Sequence, residues 1–205
     1  MKHSLQNARL LLVTDPREDL VERIAAAVKG GVEIVQLRDK HTPAKELLPL
    51  AEELREVCEP DGAIFTVNDD VELARISGAH GVHLGQDDGP LAPARKSLGV
   101  EVIVGRSVGT VEEARIAAAE GADYLGVGAM YATPTKPDGE VAGLQLVRDV
   151  ARADLGLPFY AIGGVTLQTA PEIAEAGAWG FAVVRAVLDA EDPEAAARKL
   201  RALLP

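Results

Sequence analysis

Short apolar runs alternate along the chain with longer segments whose apolar positions recur every three or four residues. The runs cover 9–14, 32–37, 63–67, 81–84, 102–105, 124–128, 159–162 and 180–184. Each is rich in Val, Ile or Leu, and most end in Gly or a polar residue, the pattern of buried strands. The segments between them predict helices over 20–29, 44–58, 71–76, 92–97, 111–120, 144–153, 167–176 and 194–203, the fourth weakened by Pro90 and Pro93. Regular strand–helix alternation predicts right-handed βαβ units and a parallel sheet. Eight repeats predict closure into a (β/α)8 TIM barrel, one domain over 1–205, whereas an open doubly wound sheet would more often stop at five or six strands.

A weak repeat supports this reading. Helices run into strands through Gly30-Gly31, Gly78-Ala79, Gly121-Ala122 and Gly177-Ala178. The first glycine of each pair is expected to end its helix in a left-handed conformation. These glycines fall on the face opposite the usual active site and are read as structural.

Composition narrows the picture. Aromatics make up only 3% of the 205 residues, so the core must be built from Ala, Val, Leu and Ile. The net charge of −11 argues against nucleic acid or an anionic membrane as a partner. It does not exclude a small anion, because surface charges beyond about 8 Å are screened, while a cation about 4 Å from a phosphate is worth about 4 kcal/mol at intermediate dielectric. A lone cysteine, Cys58, excludes an intrachain disulfide and fits a reducing cytoplasm. The apolar stretch 10–13 is too short for a signal peptide, and no run approaches the roughly 18 apolar residues of a membrane span.

Candidate chemistry belongs at the carboxyl ends of the strands. Strand two ends Gln36-Leu37-Arg38-Asp39-Lys40. Alternation puts Gln36, Arg38 and Lys40 toward the barrel mouth, and Val35 and Leu37 toward the helices. Two inward cations call for an anionic partner. Strand three ends Asn68-Asp69-Asp70 and strand four leads into His83-Leu84-Gly85-Gln86-Asp87-Asp88. Asp69 and Asp88 are therefore a candidate Mg²⁺ pair, while Asp70 and Asp87 are expected to cap helices. His83 is either a satisfied interior histidine or a substrate contact. A zinc site is not expected, for want of a second His or Cys at ligand spacing. Strand five ends Gly105-Arg106-Ser107, whose hydroxyl could reach a diphosphate. The longest loop, 130–139, carries Thr133, Thr135 and Lys136 between prolines. Gly163-Gly164 after strand seven and the end of strand eight are expected to border a phosphate.

Taken in order, Gln36-Leu37-Arg38-Asp39-Lys40, Asn68-Asp69-Asp70-Val71-Glu72-Leu73-Ala74, His83-Leu84-Gly85-Gln86-Asp87-Asp88, Thr133-Pro134-Thr135-Lys136 and Ala161-Ile162-Gly163-Gly164 resemble the motifs of the thiamine-phosphate synthase family. The resemblance implies a cytoplasmic, Mg²⁺-dependent transferase that joins a hydroxymethylpyrimidine diphosphate to a thiazole phosphate. Thiamine phosphate and diphosphate would be the products. It implies substrate contacts at Gln36, Leu37, Arg38, Asp39, Lys40, Asn68, Ser107 and Lys136, with Arg38, Lys40 and Lys136 catalytic and the metal on Asp69 and Asp88. Thr133, Thr135, Gly164, Val184 and Arg185 would border the thiazole phosphate. Arg185 stands where many members of the family carry Ser. Losing diphosphate from a pyrimidine-stabilised cation needs preorganised positive charge more than a strong base, which agrees with this residue set.

Two other readings stay open. A tautomerase-type isomerase of the same fold would need an acid–base group; the related thiazole tautomerase uses a histidine near Gly109, which can transfer no proton. A non-catalytic phosphate-binding barrel would explain Gly163-Gly164 but not the carboxylates. The oligomeric state is open, a homodimer included.

Overall fold

The alternation of side chains decides what each strand does. In the computed structural model, which describes residues 4–132 and 141–204, eight parallel strands pair in chain order and close on themselves. They are β1 (Leu10–Val13), β2 (Ile34–Leu37), β3 (Ile64–Asn68), β4 (Gly81–Leu84), β5 (Ile103–Val108), β6 (Tyr124–Gly128), β7 (Phe159–Ile162) and β8 (Gly180–Val183). β1 pairs with β8, with Leu11 opposite Ala182, which shuts the ring. The expected TIM barrel is what the chain forms.

One set of alternate residues faces outward. Leu12, Val35, Phe65, Val82, Leu125 and Phe181 pack beneath the helices in the larger core. The other set fills the axis: Leu11, Ile34, Ile64, Ile103, Tyr124, Tyr160 and Ala182. The rings of Tyr124 and Tyr160 meet edge-on at 5.5 Å. Such bulk needs room. A Cβ on Gly105 would lie 2.2 Å from the Tyr124 ring and 2.6 Å from His83 Nδ1, so β5 must be bare at that point.

The outer layer contains α1 (Leu20–Lys29), α2 (Ala44–Cys58), α3 (Val71–Ile76), α4 (Leu91–Leu98), α5 (Val111–Ala119), α6 (Gly143–Ala153), α7 (Ala170–Glu175), α8 (Arg185–Leu188) and α9 (Pro193–Arg201). No described helix is long and apolar enough to cross a membrane.

Several expectations are corrected. β5 continues past Gly105 to Val108. α7 begins at Ala170, because Thr166 and Thr169 spend the preceding residues on a side-chain-bonded turn: the Thr166 N–H donates to Thr169 Oγ1 at 2.9 Å. α8 is an additional short helix directly after β8. At the first helix end it is Gly31, not Gly30, that has positive φ (102°). Gly30 is right-handed and is glycine for space, since a Cβ there would lie 2.3 Å from the Glu194 carbonyl oxygen. Asp70 caps α3, accepting from the Leu73 N–H at 2.7 Å. Asp87 caps nothing; α4 starts after Pro90 without a side-chain cap.

Candidate active site

The carboxyl ends of β2, β3, β4 and β5 bring the first group of residues to one mouth. Gln36 faces the axis near the end of β2, and Arg38 follows just past that strand. Gln36 is buried, Arg38 half-buried and Lys40, in the turn beyond, exposed. Thr14, at the end of β1, fixes the Arg38 backbone: its Oγ1 accepts from the Arg38 N–H at 2.9 Å. The Leu37 side chain faces the helices in the outer core, which leaves only its backbone for a ligand. Asp39 accepts from the N–H groups of His41 (2.8 Å) and Thr42 (3.1 Å), so its carboxylate shapes the turn that carries Lys40.

Asn68 ends β3, and the chain then turns sharply. Asp69 adopts φ 64°, left-handed backbone that Asp tolerates better than most residues. Its N–H donates to the His83 carbonyl at 2.8 Å, which locks that turn to β4. The result is a half-buried carboxyl group hydrogen-bonded to Asp88 from the next turn. Burial and the adjacent Asp88 carboxylate push the Asp69 carboxyl up to about 6, with Lys40 and Arg38 pulling the other way. Asp88 is held by its own turn: Oδ2 accepts from the Gly85 N–H at 2.6 Å. Two carboxylates facing one another within reach of two cations form a site that an additional positive ion would relieve.

Below this rim lies a buried polar chain. Ser107 Oγ is 2.9 Å from His83 Nε2, His83 Nδ1 is 3.0 Å from the Tyr124 hydroxyl, and Gln36 Nε2 donates to that hydroxyl at 3.4 Å. Burial first, then the Arg106 charge, push the His83 imidazole down to about 4. His83 is thus a neutral, satisfied interior histidine that orients Ser107. Of its two sequence readings the structural one fits these contacts.

The opposite side of the mouth is built from β6, β7 and β8. Gly163 and Gly164 have φ of 95° and 67°. A Cβ on either would lie 2.6 Å from the Cβ of Ala129 or Tyr131, so both glycines are also demanded by close packing of the 129–131 segment. Val184 precedes α8 and is half-buried; Arg185 opens that helix and is exposed. Thr133, Thr135 and Lys136 lie outside the described residues.

Sequence reasoning assigned Arg106 no role. Its β5 position points outward, yet it is only 8% exposed and its guanidinium reaches the turn that carries Asp88. A charged residue on the outward, apolar side of a buried strand is the signal that could have found it. No group of three or more metal-binding side chains forms among the described residues, so the Asp69–Asp88 pair would need water or substrate oxygens to complete any coordination.

Comparison with known proteins adds the lineage. The family model described as thiamine monophosphate synthase matches residues 10–187. A thiamine-phosphate synthase of Halorhodospira halophila is 47% identical over 200 residues, covering 97% of this chain and 95% of its own. One from a Synechococcus is 44% identical over 208 residues, covering 99% of this chain but 59% of its own. The chain therefore spans little more than half the length of several relatives that it matches. Among solved structures, the thiamine phosphate pyrophosphorylase from Pyrococcus furiosus superposes with a TM-score of 0.87 at 35% identity, over 96% of this chain and 95% of the other.

Proposed function

The chain belongs to the thiamine monophosphate synthase family, and from that we propose that it is a transferase coupling 4-amino-2-methyl-5-hydroxymethylpyrimidine diphosphate to 4-methyl-5-(2-phosphoethyl)thiazole, or its carboxylated form, giving thiamine phosphate and diphosphate. The observation that carries this reading is the meeting of Asp69 and Asp88 beside Arg38 and Lys40. That grouping suits a highly charged leaving group accompanied by a divalent cation.

In this reading the pyrimidine diphosphate lies over the β2–β5 side. Arg38 offers a two-armed donor to a phosphate, and Lys40 and Lys136 add point charges. Gln36, Asn68 and the Ser107 hydroxyl, the last oriented by His83, fix the position of the pyrimidine diphosphate. Asp69 and Asp88 would hold Mg²⁺, and the mutual approach of their carboxyls fits such a guest. When bound, Mg²⁺ supplies Lewis-acid stabilisation of charge on the departing diphosphate. The methylene carbon–oxygen bond breaks, its electron pair leaves with diphosphate, and the thiazole nitrogen supplies the pair that forms the new carbon–nitrogen bond. Thr133, Thr135, Gly164, Val184 and Arg185 would border the thiazole phosphate. The isomerase reading loses its acid–base group, since His83 is neutral and engaged on both ring nitrogens and Gly109 carries none.

The test is direct. Purified chain, both substrates and Mg²⁺ should yield thiamine phosphate; EDTA should abolish the product and added Mg²⁺ restore it. No thiamine phosphate under these conditions refutes the assignment, and full turnover in EDTA refutes the metal.

A further inference from the structure

Arg106 presents an energetic puzzle. It pairs in register with Leu84 and Leu125, both outward-facing core residues, so its charge sits on the helix side of the barrel wall at 8% exposure. Burying a guanidinium there is costly unless its donors are used. They are used on one short turn. Nη1 donates to the Gly85 carbonyl at 2.5 Å and Nη2 donates to the Gly89 carbonyl, while Glu120 at 3.7 Å supplies the nearby negative charge. Gly85 and Gly89 bracket the turn that carries Asp88, and Gly85 also donates the N–H that Asp88 accepts.

Besides Arg106, the turn is held to α5 by Gln86, whose Nε2 donates to Glu113 at 2.7 Å, and within itself by the bonds between Asp88 and Gly85. Two glycines give it a flexible backbone, and Gly89 has φ 76°. An open cleft of about 360 Å³, lined by Gln86, Gly89, Pro90, Arg106, Ile116 and Glu120 among others, separates it from α5. Of the described side chains that cross to this turn, only Arg106 takes both of its ends, at the Gly85 and Gly89 carbonyls.

We propose that Arg106 is a positioning residue: by pinning both ends of the 85–89 turn it sets the place of the Asp88 carboxylate, and so the affinity of the mouth for a divalent cation with diphosphate. This rests on the metal reading above. The residue touches neither substrate nor ion.

The test uses Arg106→Met, with Mn²⁺ plus inorganic diphosphate as a binding probe followed by electron paramagnetic resonance. Loss of an outer support for a metal ligand typically weakens metal affinity by about 10- to 100-fold. Arg106→Met should therefore bind Mn²⁺–diphosphate at least about tenfold more weakly and need about tenfold more Mg²⁺ for half-maximal turnover, with kcat at saturating Mg²⁺ within about threefold of wild type. Amide exchange at 85–88 should accelerate in the metal-free protein. Arg106→Lys, which keeps the stem and charge but not the fork, should shift in the same direction by less, and carries the test if Arg106→Met does not fold. Wild-type Mn²⁺ affinity in the variants overturns the proposal while leaving the metal reading intact. No Mn²⁺ binding by the wild-type chain overturns both.

Discussion

Asp69 and Asp88, from turns after neighbouring strands, share a hydrogen bond at the mouth of the barrel, and burial together with that proximity pushes the Asp69 carboxyl up to about 6. A folded-state value above the unfolded one of 3.8 means that this group favours the fold below about pH 4 and weighs against it as pH rises through 6. At pH 8 without metal, both carboxylates are charged and opposed. Asp69→Asn should then be more stable than wild type by about 1 kcal/mol, after discounting for the half-exposed position. Asn also accepts the left-handed backbone. The same change should slow coupling by at least about two orders of magnitude. Urea titration without Mg²⁺, paired with a thiamine phosphate assay, checks both; a variant less stable than wild type contradicts the account of the pair.

If Lys136 holds the role proposed for it, Lys136→Ala should likewise reduce coupling at least about 100-fold, the cost typical of losing one preorganised electrostatic contact to developing charge. Its effect should fall on kcat more than on thiazole KM. Turnover near that of wild type would remove Lys136 from the machinery.

His83 gives the fold an acid limit. Its value is pushed from 6.5 down to about 4, so the neutral form is stabilising above pH 6.5 and that contribution drains away as pH falls toward 4. Between pH 7 and pH 4.5 the loss amounts to about 2–3 kcal/mol at 1.36 kcal/mol per unit. In the Asp69→Asn background, which removes the opposing titration of Asp69, unfolding free energies at the two pH values should differ by that much, and adding His83→Gln should flatten the difference. An equal pH slope in the variant would assign the acid sensitivity elsewhere.

Gly105→Ala should destabilise by about 3 kcal/mol or more, the range of severe overpacking, because the new methyl group overlaps the Tyr124 ring. Tyr124→Phe alone should be milder, losing the hydroxyl contacts with Gln36 and His83. The double variant Gly105→Ala/Tyr124→Leu should recover part of the loss. Thermal melts of the three proteins decide it, and an innocuous Gly105→Ala would contradict the packing of the axis.

The barrel was readable because eight strands repeat one physical problem: a buried backbone with apolar residues against the helices. The period-two rule also put Leu37 against the helices and Gln36 toward the axis, where they stand. It misjudged β5 because Gly105 looks like a stop, when its bareness serves Tyr124 on the neighbouring strand. Such a reason lives in a contact between residues nineteen positions apart, and no local pattern carries it. α8 escaped for the same kind of reason: four residues are too few to show a helical period. At the site, residue types at strand ends were legible, but the left-handed turn at Asp69 and the reach of Arg106 across to Gly85 and Gly89 are properties of assembled backbone.

The paired tyrosines along the axis have a consequence for traffic. Among the described residues, Tyr124, Tyr160 and the aliphatic side chains around them fill the tube and leave no passage along its axis. In the proposed reaction, a reactant seated above Gln36 would therefore leave through the same mouth by which it came.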